Sequence, residues 1–180
     1  MKLSIIAAAL AVAAPLAVAS AAYADAPAAT LEIGYARDTY SPTGFQSLGF
    51  NTVVVRGGAQ FSQHFGVEME GGFGVGADTI HPGGVAVTTK LNYQLDIYGV
   101  GYLPVSKNVD VVARVGYGRT DTNVSGGGVS GTADDFGAAA GVGVRAFPGG
   151  GKNGFRVDYT HFFTNHLAGN TFGATYVRKF

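Results

Sequence analysis

Residues 95–118 read LDIYGVGYLPVSKNVDVVARVGYG, and taken two at a time they sort into columns of different chemistry. Leu95, Ile97, Gly99, Gly101 and Leu103 fall in one column, and Val109, Val111, Ala113, Val115 and Tyr117 continue it. Asp96, Asp110 and Arg114 fall in the other. Successive side chains of a strand face opposite sides, so the stretch reads as two strands, greasy on one face and charged on the other. Pro104 to Asn108 supplies the turn residues that join them.

The same alternation extends along the chain. It predicts eight strands, at about 29–38, 50–62, 66–76, 90–103, 109–120, 135–146, 154–162 and 170–180. Helices are disfavoured, because 29 glycines interrupt nearly every window and each costs about 1 kcal/mol in a helix interior. The apolar column includes Ile33, Tyr35, Val53, Met69, Leu91, Leu95, Val142 and Tyr159. The polar column holds Glu32, Arg56, Glu68, Glu70, Asp96, Asp110, Arg114, Asp135, Arg145, Arg156, Asp158 and Lys179, with Asn92, small residues and glycine between them.

Such columns suit either a soluble sheet with a greasy interior or a membrane barrel with a greasy exterior. Composition favours the second. Charged residues make up 13%, against about 25% in soluble domains. The polar column is narrow and mixed in sign, as a lumen requires, since buried charges must be paired and Arg presents a planar fork that fits carboxylates. Outward aromatics fall near the strand ends. Tyr35, Phe73, Tyr93, Tyr117, Phe136, Tyr159 and Phe172 lie at one end, and Phe61, Phe155 and Phe180 with Leu103 at the other. Two aromatic girdles mark membrane interfaces.

Connections alternate in length in the same sense. Residues 62–65, 104–108 and 148–153 are short, whereas 39–49, 77–89, 121–134 and 163–169 form four mostly longer loops. The expected fold is therefore all-β, an eight-stranded antiparallel up-and-down transmembrane barrel, which satisfies its backbone polar groups without water. Eight strands leave a bore that side chains fill, so a diffusion channel is disfavoured.

Residues 1–24 read as a cleavable signal peptide: Lys2, an apolar run from Leu3 to Val18, then Ala22-Tyr23-Ala24 before Asp25. Residues 25–180 then form one barrel domain. Twelve Lys+Arg balance twelve Asp+Glu, which leaves no basic footprint for nucleic acid. With no cysteine there is neither a disulfide framework nor a thiolate site.

The chain ends TFGATYVRKF, with Phe180 last and Tyr176 and Phe172 on the same face. Together with residues 95–118 and with DDFGAAAGVGVRAF at 134–147, it resembles the small eight-stranded opacity-like family of outer-membrane barrels, similar in architecture to the barrels of outer membrane proteins A and X. The resemblance implies an outer-membrane location reached through the periplasm, contact with lipid and lipopolysaccharide, and a monomer. It implies that Phe172, Tyr176 and Phe180 form the signal read by the barrel-assembly machinery. It also implies a structural, envelope-integrity or adhesion-like role carried by four surface loops toward an unknown surface ligand. Arg178, on the outward face, departs from the family's terminal pattern.

Two other function classes remain open in the sequence, a narrow low-conductance pore and a lipid-A-modifying enzyme. The second would rest on HFFTNH at 161–166, yet no Ser follows Ser130 and no acid follows Asp158, so a nucleophile-and-base set is not assembled. The expectation is a non-enzyme without cofactor or metal. Gly126-Gly127-Gly128 lacks the Lys of a phosphate loop and reads as flexible loop. Asp134-Asp135 reads as a solvated loop edge. Gly141→Ser, on the lumen side, is expected to be mild.

Overall fold

The structure is a computed structural model and describes residues 29–42, 47–164 and 167–180; the leader lies outside the described residues. Nine strands run in chain order: β1 (Ala29–Pro42), β2 (Leu48–Gln60), β3 (Phe65–Gly74), a three-residue β4 (Asp78–Ile80), β5 (Val87–Ser106), β6 (Val109–Gly126), β7 (Val129–Ala146), β8 (Asn153–Thr164) and β9 (Leu167–Lys179). Each long strand pairs antiparallel with its neighbour, β1 closes on β9, and β3 pairs with β5. Eight long strands thus make a closed barrel. β4 adds a short rung to the upper part of β5.

Solvent accessibility separates the two columns and fixes their direction. Ile33, Val115 and Val142 are 55%, 65% and 55% exposed, while Arg114, Arg156 and Glu68 are 2%, 1% and 1% exposed. The charged column lies in the middle. Interior glycines make room for it: a Cβ at Gly141 would stand 2.7 Å from the Tyr159 carbonyl and 3.1 Å from Arg114 Nε. That corrects the expectation that Gly141→Ser is mild, because the nearest obstacles include the Tyr159 backbone carbonyl.

Three expectations change above the girdle. Residues 121–134 are not a loop, since β6 and β7 stay paired up to Gly126 and Val129. Polar residues there were read as loop chemistry, but a strand that has left the membrane needs water-compatible side chains on its outer face. Gly127 and Gly128, with φ of 59° and 82°, make the tight two-residue turn that such a hairpin needs, so the glycine run is not flexible loop. Within 77–89, β4 and a single 3-10 turn at Pro82–Gly84 replace irregular chain.

The third change is a register shift on β5 between Leu91 and Tyr93. A bulge places an extra residue against its partner and reverses sidedness beyond it. Leu91, assigned outward by alternation, is instead fully buried inside. Asn92, assigned to the lumen, instead bonds Asp121 Oδ1 at 2.5 Å and accepts from Asn123 Nδ2 at 3.0 Å.

Candidate functional site

The lumen is built on a row of register partners. Glu32 on β1 faces Arg56 on β2, which faces Glu70 on β3, which faces Asp96 on β5. All four point inward, and the order of the row places Arg56 between the carboxylates of Glu32 and Glu70. Its Nη1 donates to Glu32 Oε2 at 2.5 Å and its Nε to Glu70 Oε2 at 2.6 Å. The same guanidinium reaches Asp158 of β8 at 3.3 Å.

Two more arginines complete the centre. Arg114 on β6 donates to Glu70 at 2.6 Å, to Asp158 at 2.9 Å and to Thr160 Oγ1 at 2.6 Å. Arg156 on β8 donates to Glu68 Oε1 at 2.7 Å, and its Nε lies 3.1 Å from Asp158 Oδ1. Tyr102 donates to Glu68 Oε1 at 3.1 Å, and Thr175 to Glu32 Oε2 at 2.9 Å. All seven charged groups are buried. Removing charges from water costs several kcal/mol each unless they are paired and hydrogen-bonded; all seven are ion-paired, while Glu68 Oε2 and Arg156 Nε and Nη2 make no hydrogen bond among the described residues.

Aromatic faces take part as well. The Arg114 guanidinium sits 4.3 Å from the Tyr98 ring centroid, and that of Arg145 sits 3.8 Å from Tyr102. Arg145 forms a separate cluster at the turn end of the barrel, donating to Asp110 Oδ2 at 2.7 Å and to Gln60 Oε1 at 3.0 Å. Lys179, also expected in the network, makes no ion pair among the described residues; its Nζ lies 3.5 Å from the Phe147 ring centroid. Asp96 joins no ion pair either, and accepts from Gln94 Nε2 at 2.6 Å.

Asp38 was missed by sequence reasoning. It shares the parity of Glu32 on β1, which was the available signal, and it accepts hydrogen bonds from Thr52 and from Thr171. Thr160, Tyr98 and Tyr102 were also missed, because a hydroxyl or ring on the charged face carries no distinctive pattern.

The outer face holds the remaining candidates. Phe172, Tyr176 and Phe180 are 61%, 40% and 63% exposed along one side of the last strand. Arg178 and the Tyr176 hydroxyl both donate to Asn153 Oδ1, at 2.5 and 2.7 Å. His161 Nδ1 lies 2.8 Å from Asn170 Oδ1, and its ring packs edge-on against Phe163. Neither a carboxylate nor a Ser hydroxyl bonds His161 among the described residues, and His166 lies outside them. No group of three metal-ligating side chains is found among the described residues.

Beyond the girdle the barrel rises unevenly. β5, β6 and β7 have 20, 18 and 18 residues, whereas β3 and β8 have 10 and 12. From Tyr117 to the hairpin tip, β6 extends about 30 Å along its length. β8 begins to pair with β7 only at Gly137. Residues 129–136 of β7 are therefore paired on one side alone among the described residues, and all but Asp135 are exposed.

Residues 4–180 match the family described as the outer membrane protein beta-barrel domain. The chain belongs to that family. It is an outer-membrane barrel, so its apolar column faces hydrocarbon and its charged column lines the bore. Solved structures carry the same fold. The attachment invasion locus protein Ail of Yersinia pestis superposes with a TM-score of 0.66 at 15% identity, over 86% of this chain and 99% of that one. Neisserial surface protein A gives 0.62 at 13% identity, over 84% and 97%. The outer membrane protein OprG of Pseudomonas aeruginosa gives 0.59 at 8% identity, over 86% and 97%. No curated protein matches the sequence.

Proposed function

We propose that this outer-membrane barrel acts as a monomer that supports the envelope with a plugged lumen and engages a surface partner through the sheet formed by β4 to β7. The open edge at residues 129–136 carries this reading. An unpaired strand edge presents a row of N–H and C=O groups to which an extended chain can add. The projecting sheet bears two bases, Lys90 and Arg119, against four acids, Asp78, Asp121, Asp134 and Asp135, with Arg119 and Asp134 paired at 3.1 Å. That balance favours backbone recognition over capture of a polyanion. Adhesion is consistent with the name of Ail, the attachment invasion locus protein of Yersinia pestis.

The reading is non-catalytic, supported by the Asn and Phe surroundings of His161. Phe172, Tyr176 and Phe180 serve as the assembly signal, and residues 1–24 as the export leader.

The test compares cells carrying the full-length barrel with cells in which residues 123–132 are replaced by Asn-Gly. Both should assemble, show the unheated-versus-boiled gel shift and restore resistance to detergent, while only the full-length protein should promote attachment to host-cell monolayers. Equal attachment by the shortened protein would remove the role assigned to the sheet.

A further inference from the structure

Above the ion network the inward column turns apolar. Leu48, Phe50, Val124 and Ala133 wall a cavity of about 210 Å³ in the upper lumen, and Val124 and Ala133 continue into an open hollow of about 370 Å³ on the inner face of the β6–β7 hairpin. Val87, Val129 and Gly131 complete that hollow, which runs along β7 at residues 129–133. A Cβ built on Gly131 would meet nothing within 4 Å. Contiguous greasy surface left bare at the mouth of the barrel is what an interaction site presents.

The backbone beside the hollow is oriented for pairing. Gly127 and Gly128 close the hairpin as a two-residue turn, so Gly126 and Val129 face each other next to it and exchange both backbone bonds. The N–H and C=O of Ser130, Thr132 and Asp134 therefore point away from β6, toward the side on which β8 has not yet begun to pair. Phe136, next in that series, donates its N–H to Asp135 Oδ1 at 2.9 Å. A strand added antiparallel, in continuation of β8, sets the side chains opposite Gly131 and Ala133 over the hollow and those opposite Thr132 and Asp134 outward. The small residues at 131 and 133 leave space for large ones on the added strand. On the outer face Asp121 stands directly opposite Asp134, and Arg119 pairs with Asp134, which leaves a surplus of acid beside the added strand.

We propose that the partner of this sheet is an extended peptide segment that pairs with β7 at residues 130–134 and reads basic, large apolar, polar, apolar from its N-terminal end. The large apolar residue lies opposite Ala133 and enters the cavity toward Leu48 and Phe50. The second apolar residue lies opposite Gly131 on Val124 and Val129, and the basic residue sits beside Asp134. In strand addition the backbone ladder gives affinity and the alternate side-chain pockets give specificity. The proposal rests on the assignment of the sheet as the partner-binding surface and adds what the partner must carry.

The test is fluorescence anisotropy of a labelled peptide, Thr-Lys-Phe-Thr-Val-Thr with blocked ends, titrated with the full barrel in phosphatidylcholine nanodiscs, empty nanodiscs serving as the blank. Replacing the peptide's Phe by Ser should weaken binding at least tenfold, replacing its Lys by Glu at least threefold, and N-methylation of alternate amides should abolish it. Thr132→Pro in the barrel removes an N–H that points to the open side without touching the bonds to β6, and should weaken the parent peptide at least tenfold while keeping the heat-dependent gel shift; Ser130→Pro takes its place if that variant fails to fold. Equal binding of the Ser-for-Phe peptide would overturn the apolar anchor, and equal binding of the Glu-for-Lys peptide the basic position. Equal binding by the proline variant or of the N-methylated peptide would overturn strand pairing. No anisotropy change with the parent peptide, while cell attachment still depends on residues 123–132, would overturn this partner chemistry and leave the role of the sheet standing.

Discussion

Arg56 and Asp158 stand 102 residues apart in the chain, yet their side chains meet at 3.3 Å across the bore. They belong to β2 and β8, which are separated in the sheet by β1 and β9. Arg114 likewise bridges β6 to Glu70 on β3 and to Asp158 on β8, skipping a strand each time. Backbone ladders join only adjacent strands, so these guanidinium forks are the cross-braces that hold opposite walls together and occupy the channel.

Arg56→Met removes the charge and leaves Glu32, Glu70 and Asp158 facing one another. The expected loss is about 3–5 kcal/mol, the usual cost of breaking a buried ion set by deleting one member. Adding Glu70→Gln should recover part of it, because the surplus negative charge falls. Urea unfolding in micelles, followed by tyrosine emission and the gel shift, measures both.

Wild-type protein in a planar bilayer should give no discrete current steps, since side chains fill the narrow bore. Arg56→Ala combined with Arg114→Ala removes two of the cross-braces and should produce steps. Steps of similar size from both proteins would show that the network does not close the lumen.

Val142 and Gly141 are neighbours on opposite faces, which makes them a matched pair. Val142→Arg places a charge in hydrocarbon and should cost about 2–4 kcal/mol. Gly141→Ser should also be destabilising, because its Cβ would crowd the Tyr159 carbonyl and Thr160 Oγ1, each at 2.7 Å. Refolding yield into lipid vesicles should fall for both, and Val142→Ala should behave as wild type.

Phe180→Ala should slow assembly in cells without changing the stability of protein refolded in micelles. Its side chain is 63% exposed and contributes little to packing, so a fall in the heat-shifted fraction in vivo alone would report recognition by the assembly machinery.

Within the membrane, sequence periodicity sufficed to place the strands. Glu32, Arg56, Glu68, Glu70, Arg114, Arg156 and Asp158 all occur on one parity, and hydrocarbon outside leaves only one face on which charge is tolerated. Which carboxylate meets which guanidinium was not legible, because partners such as Arg56 and Asp158 depend on barrel closure. Above the membrane both faces of a strand can be polar, so Thr122, Asn123 and Thr132 resembled a loop. Leu91 was misassigned because a bulge leaves no mark in a two-residue period. Lys179 had the right parity, but it lies at the strand's end, where its ammonium rests on Phe147 rather than on a carboxylate.

The unequal strand lengths tilt the rim of the cylinder, giving the molecule a tall flank and a low flank. Neighbours diffusing in the plane of the membrane therefore meet a wall from one bearing and a step from the other. Contacts above the membrane become directional even though the hydrocarbon-facing girth is alike all round.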